Sequence, residues 1–190
     1  MFWLAIALLG ALQDDLCPLR EGTVLTYETR ERSCGADRLK EQACSVVGTH
    51  SIANRDWFEV SNFLFYEKAY LRAGDDGLEF RAPEYGDHTL LLFKKGARAG
   101  DAWECALTDR ETARFRYESQ ETVEVPAGTY RAYRVSFTIS PKRRSSVSRE
   151  STGEIWIAPG AGVVKGHIVR NPECDGSSTL SFSLKKIETK

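Results

Sequence analysis

The side chains most often used in catalysis or metal binding are few in this chain and widely spaced. Its three histidines, His50, His88 and His167, show no HxxxH or HExxH spacing, the pattern that sets two imidazoles around a zinc ion. No GxSxG nucleophile elbow, phosphate-binding loop or nucleotide fingerprint occurs. Asp75 and Asp76 lie between glycines and could offer carboxylates to calcium, but a solvated turn is the simpler interpretation. We therefore predict no catalytic residue, no metal site, no cofactor and a protein that is not an enzyme.

The five cysteines carry the remaining reactive groups. No CxxC pair or Cys/His pair has metal-ligand spacing, and in an oxidising compartment cysteines form structural disulfides. Cys34 and Cys44 flank the polar segment Gly35-Ala36-Asp37-Arg38, which is typical of the tip of a hairpin, so they are the first pair expected. Cys105 and Cys174 are the second, which leaves Cys17 unpaired. Spacing alone does not determine this connectivity.

The amino terminus predicts export. An uncharged apolar run over residues 2–12 ends abruptly at Gln13-Asp14-Asp15, although no Lys or Arg precedes it. It is shorter than the roughly 20 apolar residues that cross a bilayer and suits the apolar core of a secretory signal. We predict a signal peptide over residues 1–13, a single domain over residues 14–190, and a location in the periplasm or outside the cell. No transmembrane segment is expected after cleavage.

Composition sets limits on the partners. The chain has 190 residues and a net charge of −1, so it is long enough for one domain with a real core. It carries no excess of positive charge for nucleic acid or an anionic membrane surface. The one compact basic cluster, residues 140–146, is most simply a soluble loop tip.

Alternation of apolar and polar residues predicts strands along most of the chain. It is clearest over residues 103–108, 133–139 and 180–184, and Gly- or Pro-containing turns separate the alternating runs at the spacing of an antiparallel meander. The prediction is an all-β fold with a single antiparallel, strongly curved sheet, a half-barrel or flattened barrel of about 11–12 strands. A two-sheet sandwich would give the same alternation and stays open as an alternative.

Aromatic residues crowd between Trp57 and Tyr70, and further tryptophans stand in predicted strands. Ligand cavities are built mainly from apolar and aromatic walls. The residues predicted to line such a cavity are Trp57, Phe63, Phe65, Tyr66, Trp103 and Trp156.

Two segments carry a family resemblance. Residues 123–135 read V-E-V-P-A-G-T-Y-x-A-Y-x-V, and residues 153–165 read G-E-I-W-I-A-P-G-A-G-V-V-K. This resembles a large group of exported bacterial proteins of unknown function with a "VPAGTF" hairpin followed by a "W-x-APGVGLVK" strand-turn-strand. Residues 17–27 are similar to the "PLKxGxxWxY" segment with which members of that group begin. Residues 100–103 resemble the "PGDxW" segment that precedes a middle strand in the group. The resemblance implies a curved half-barrel, distantly like the periplasmic carriers that hold lipoprotein acyl chains, and it brings no catalytic residues.

Two functional hypotheses follow. In the first, the concave sheet of a non-enzymatic envelope protein binds a lipid acyl chain or another apolar small molecule. In the second, the core is filled and the protein is a structural or interaction partner of another envelope protein or of the secretion apparatus. The two differ in whether the interior is hollow.

Overall fold

A computed structural model gives the structure of the chain and describes residues 16–33, 35–64, 66–142, 150–170 and 178–189. Most of the described chain is β-strand, as the alternating pattern predicts. A single 3₁₀ turn, Pro83–Tyr85, interrupts the strands, and the described residues contain no α-helix. No described helix is therefore long and apolar enough to cross a membrane.

The described residues form twelve strands. In chain order they are β1 (Thr23–Ser33), β2 (Ala36–Ile52), β3 (Arg55–Phe63), β4 (Tyr66–Gly74), β5 (Gly77–Arg81), β6 (Leu90–Lys94), β7 (Ala102–Ala106), β8 (Glu111–Val125), β9 (Gly128–Pro141), β10 (Ser151–Ala158), β11 (Gly162–Arg170) and β12 (Ser178–Thr189).

All twelve strands belong to one antiparallel sheet with the order β6-β5-β4-β3-β2-β1-β12-β11-β10-β9-β8-β7. Each strand pairs with the next along the chain except β6 and β7, and β1 pairs with β12. The sheet curls into a nearly closed barrel, so that β6 and β7 face each other across a seam. This confirms the predicted curved antiparallel sheet and excludes the two-sheet sandwich.

Side chains hold the seam together where the described backbone forms no ladder. The indole N–H of Trp103 on β7 donates to the carbonyl oxygen of Leu91 on β6 over 2.6 Å. The N–H of Leu91 in turn points at Cys105 Sγ, 3.4 Å away. The Trp103 ring stacks on Phe115 of β8 with centroids 5.9 Å apart, which fixes the orientation of its N–H. The edges of the sheet are thus satisfied locally, a common requirement for exposed strand edges.

Two glycines bring aromatic rings against the inner face of the barrel. Gly166 on β11 is the register partner of Phe182 on β12, and Gly153 on β10 is the partner of Phe137 on β9. A Cβ on Gly166 would lie 2.2 Å from Phe182 Cζ, and one on Gly153 would lie 2.5 Å from Phe137 Cζ. The rings therefore occupy the space that a side chain would take, as expected where a strand glycine permits close approach.

One end of the barrel is packed by the segment that precedes β1. Leu16 and Cys17 are both buried, and the Cys17 thiol lies against Gly162, where an added Cβ would meet its Sγ at 2.8 Å. Close by, the hydroxyl of Tyr27 donates to the carbonyl oxygen of Val163 over 2.8 Å. Burial raises the pKa of the Cys17 thiol to about 12. These contacts fill this end of the interior.

The disulfides predicted from sequence are not supported. Cys44 and Cys105 are free thiols, while Cys34 and Cys174 lie outside the described residues. The error lay in the position of the hairpin tip. Ser33 pairs directly with Ala36, and Cys44 lies eight residues further along β2, at about 3.3 Å per residue. Cys44 therefore lies opposite Leu25 in the ladder, well away from the turn between Ser33 and Ala36.

The remaining predictions on chain organisation concern residues that the structure leaves undescribed. The predicted signal peptide, residues 1–13, lies outside the described residues, as do residues 143–146 of the basic cluster. The signal peptide and the boundary of the domain at residue 14 stay predictions.

Candidate functional site

The end of the barrel opposite Cys17 contains an apolar cavity of about 270 Å³, here called the inner chamber. Its walls come from β3 to β6 and from β8 to β11, together with the 3₁₀ turn and the segments after β3 and β7. The described lining residues are Phe63, Leu64, Tyr66, Phe80, Tyr85, Leu90, Leu92, Leu107, Glu111, Ala113, Phe115, Phe137, Ile139, Ser151, Ile155, Ile168 and Arg170. The volume lies just below the roughly 300–1,000 Å³ of typical small-molecule sites.

Aromatic rings form one wall of the inner chamber. Phe80 on β5 packs against Phe63 at 5.9 Å and against Tyr66 at 5.0 Å between ring centroids. Tyr85, in the 3₁₀ turn, meets Tyr66 edge-on at 5.5 Å. On the other side, Phe115 packs against Phe137 at 6.0 Å. The geometries are those that aromatic pairs prefer, so the wall is set by mutual packing.

The polar groups of the inner chamber stand at strand ends, near its mouth. Glu111 opens β8, Arg170 closes β11, and Tyr66 opens β4. The hydroxyls of Tyr66 and Tyr85 are in hydrogen-bond contact. Burial raises the pKa of both tyrosines, and the nearby positive charge of Arg170 acts in the opposite direction. Both tyrosines are therefore neutral hydroxyls at physiological pH, next to a guanidinium group.

A second, polar cavity of about 450 Å³ adjoins the mouth and is here called the outer vestibule. It shares Leu64, Tyr66 and Arg170 with the inner chamber. Its other described lining residues are Glu31, Lys40, Glu41, Gln42, Asn62, Glu67 and Leu180. The two cavities thus adjoin at these three shared residues, one with an apolar lining and the other with a polar lining.

The two cavities share a wall at the turn between β3 and β4, and a side chain of β2 stabilises this turn. Asn62 and Leu64, which lead from β3 into β4, both have positive φ angles, 53° and 55°. Such angles are strained for residues other than glycine. The side-chain amide of Gln42 on β2 donates to the carbonyl oxygens of Asn62 and Leu64 over 2.7 and 2.8 Å. These bonds stabilise the turn and fix Leu64 and Tyr66 where the cavities meet.

Of the six residues predicted to line a cavity, the structure brings Phe63 and Tyr66 into the inner chamber. Phe65 lies outside the described residues. Trp103 does not line the chamber, but it stacks on Phe115, which does.

Trp57 and Trp156 occupy other places. Trp57 is buried between the guanidinium groups of Arg72 and Arg81, 5.6 and 5.7 Å from its ring centroid, because its neighbour Phe58 takes the core-facing position on β3. Trp156 has Arg134 and Lys165 as cross-strand partners and both stand over its ring. Neither tryptophan is among the described residues of the inner chamber.

The histidines and the candidate calcium turn form no common site. His50 pairs with Glu59 at 2.9 Å, His88 with Asp109 at 3.4 Å, and His167 Nδ1 lies 2.9 Å from the hydroxyl of Ser181. Asp75 and Asp76 are exposed in the turn between β4 and β5. In the part of the chain that the structure describes, no three metal-ligating side chains cluster.

Sequence reasoning missed Tyr85 and Arg170. Tyr85 stands in a Pro-Glu-Tyr-Gly segment that reads as a surface turn, and an aromatic residue there is a signal that the turn folds back onto the core. Arg170 ends an apolar strand and gives no pattern of its own. Both reach the site only because distant strands end at the same rim of the barrel.

Comparisons with known proteins agree on the fold. No curated protein shows significant sequence similarity to the chain. The crystal structure of a "putative exported protein with YmcC-like fold" from Bacteroides fragilis superposes with a TM-score of 0.57 at 13% identity, covering 93% of this chain and 100% of that one. A "putative lipoprotein" from Parabacteroides distasonis gives 0.50 at 12% identity, covering 92% and 99%.

These likenesses show a shared fold, since the identities are low. The family is shown by sequence. The model of the DUF3108-like family matches residues 76–170, half of the chain, and this range contains both segments that carried the family resemblance. The protein is thus a member of the DUF3108-like family.

Proposed function

We propose that the protein is a non-enzymatic, exported binding protein that holds the apolar part of a small molecule, such as an acyl chain, in the inner chamber. The observation that carries this proposal is the apolar cavity of about 270 Å³ at one end of a barrel whose other end is packed. A barrel of this kind can hold one small ligand when side chains leave part of the interior open.

The distribution of polar groups supports binding rather than catalysis. The deeper lining residues, such as Ala113, Phe115 and Ile155, are apolar and buried, whereas Glu111 and Arg170 stand at strand ends. A catalytic site needs a nucleophile or a base positioned against the reacting group. The described lining offers apolar surface at depth and polar groups at the mouth, which suits an amphiphile.

Export is part of the proposal. It is supported by the apolar run over residues 2–12 and by the names of the two structural neighbours, one an exported protein and the other a lipoprotein.

The proposal is tested by filling the chamber. Ala113 is fully buried and lines it, so Ala113→Leu adds side-chain volume directly into the ligand space. Ala132 is equally buried but does not line the chamber, so Ala132→Leu is the matched control for the cost of overpacking. Circular dichroism and thermal melting first establish that both variants are folded.

Binding is measured by displacement of a fluorescent acyl probe with decanoate and decanol, and by native mass spectrometry of the purified protein. We expect saturable binding by the wild type and Ala132→Leu and a loss of at least tenfold in Ala113→Leu. Absence of binding to the wild type, or equal binding by both variants, would refute the inner chamber as a ligand site. That result would favour a structural or interaction role instead.

A further inference from the structure

The outer vestibule has a charge order that the inner chamber alone does not explain. From the depth of the inner chamber outward, the lining changes from apolar walls to the hydroxyls of Tyr66 and Tyr85 with Arg170. The outer vestibule then adds three carboxylates. We propose that the ligand is a single-chain zwitterionic amphiphile, with its phosphate at Tyr66 and Arg170 and its ammonium group among Glu31, Glu41 and Glu67. This inference rests on the proposed function.

The chamber volume selects a single chain. A cavity of about 270 Å³ lies just below the roughly 300–1,000 Å³ of sites that hold a whole drug-sized ligand. That is room for one short acyl segment and not for two side by side. The part of the ligand beyond this length must lie in the outer vestibule.

The junction of the two cavities offers hydrogen-bond donors. A neutral tyrosine hydroxyl donates one hydrogen bond, and a guanidinium group has five N–H donors. Arg170 already makes contacts within the protein, and its fork of donors allows an oxyanion to be added to them. Phosphate oxygens accept charge-assisted hydrogen bonds from such a group. An anionic group next to the chain therefore fits this position.

The rim of the outer vestibule has the opposite character. Away from the junction, the charged residues of its described lining are Glu31, Glu41 and Glu67 against Lys40. Glu41 is also paired with Lys185, which lies outside the lining. With Glu41 paired in this way, Glu31 and Glu67 against Lys40 leave a net negative charge on the rim. This charge favours a cation and disfavours a second anion. In an ethanolamine phospholipid with one chain, the order from the chain outward is phosphate and then ammonium, and the site has the complementary order.

The wall that carries this order is built rather than incidental. The bonds from Gln42 to the backbone at Asn62 and Leu64 fix the strained turn from which Tyr66 and Glu67 follow. Tyr66 and Glu67 open β4 side by side, one at the junction and the other on the rim. The donor and the carboxylate are thus placed by one turn.

The test compares four ligands with the same decanoyl or decyl chain, all below their micelle concentrations. They are lysophosphatidylethanolamine, lysophosphatidylglycerol, decanoate and decanol, each displacing the fluorescent acyl probe from the full-length protein. The variants are Arg170→Gln and Glu67→Gln. The matched controls are Arg131→Gln and Glu124→Gln, at exposed residues that line neither cavity.

We expect the ethanolamine lysolipid to bind most tightly. Arg170→Gln should weaken both lysolipids about tenfold and leave decanol unchanged, which also shows that the chamber is intact in the variant. Glu67→Gln should weaken the ethanolamine lysolipid and not the glycerol lysolipid. Both controls should behave as the wild type.

The outcomes separate this inference from the proposed function. If decanol, decanoate and both lysolipids bind equally and Arg170→Gln has no effect, the head-group site is refuted while the acyl-binding function stands. Preference for the glycerol lysolipid refutes the role of the carboxylates at the rim. If no ligand binds, decanol included, the proposed function fails and this inference fails with it.

Discussion

Replacement of Gly166 by alanine should destabilise the barrel, because its inner face at this point is already occupied. The new Cβ would lie 2.2 and 2.5 Å from two ring atoms of Phe182, whereas carbon atoms in contact lie about 3.5 Å or more apart. The ring would have to retreat by more than about 1 Å. Phe182 is 4% exposed and packs edge-on against Tyr27 at 5.8 Å, and Tyr27 is itself bonded to the backbone of β11.

Since the ring has no free side, we expect the cost of overpacking, about 1–3 kcal/mol. For a domain of this size each kcal/mol lowers Tm by about 2–4 °C, so Tm should fall by about 2–12 °C. Thermal and urea unfolding followed by circular dichroism measure this directly. The same Tm for Gly166→Ala and the wild type would refute the close packing of Phe182 on Gly166.

Gly48→Ala is the matched control for a glycine in a strand. Gly48 lies within β2, has no atom within 4 Å of an added Cβ, and does not have a positive φ. This substitution should be neutral or should stabilise by about 0.4–1 kcal/mol through the unfolded state. The double variant Gly166→Ala with Phe182→Leu should cost less than the two single changes combined, because the smaller side chain makes room for the methyl group. Simple additivity would show that the destabilisation arises elsewhere.

The buried thiols, the carboxylate partner of Trp156 and the seam each give a further measurable expectation. Burial raises the pKa of Cys17, so at pH 8 iodoacetamide should label half-buried Cys105 well before Cys17 in the native protein; equal labelling rates, read by mass spectrometry, would contradict the packed end of the barrel. The indole N–H of Trp156 donates to Glu121 over 2.6 Å and lowers the pKa of that carboxyl. The stability from this bond is present above the unfolded pKa of about 4.3 and is lost as pH falls through the lower folded value, so Tm should decline less steeply below pH 5 in Glu121→Gln than in the wild type. Trp103→Phe keeps an aromatic ring, though a smaller one, and removes the N–H at the seam. It should therefore cost at least about 0.5–1.5 kcal/mol and speed hydrogen exchange at β6 and β7 while leaving β1 and β12 unchanged; uniform exchange would refute the seam as a local contact.

Much of the fold could be predicted because alternation depends only on local geometry. The run at residues 133–139 and the run at residues 180–184 are β9 and β12, and the glycine- and proline-containing turns lie between strands. The closure between β6 and β7 could not be predicted, since alternation does not tell how strongly a sheet curves. The register shifts at Trp156 and Tyr117 likewise leave no signal in the pattern. The first hairpin tip was predicted at Gly35 to Arg38, but the turn lies before Ala36, which pairs with Ser33. A two-residue shift of a turn changes every cross-strand partner, including that of Cys44.

The candidate site was predicted only in part. Phe63 and Tyr66 were found by their aromatic crowding, but the same signal selected Trp57, which faces away from the core beside Phe58. Where both faces of a strand are buried, alternation does not tell which residue points inward. Arg170 and Tyr85 come from segments far apart in the chain, and only the tertiary structure places them beside Tyr66.

The position of the seam has a consequence for how the chain can be cut and joined. The strand ladder breaks in mid-chain, between β6 and β7, whereas the first and last strands are paired and Thr23 lies opposite Thr189. A circular permutant that starts at β7, links β12 to β1 and ends at β6 would be an uninterrupted meander with every ladder between sequence neighbours. Its contacts would be far more local than those of the natural order, in which β1 must find β12 across nearly the whole chain, and it should therefore fold faster.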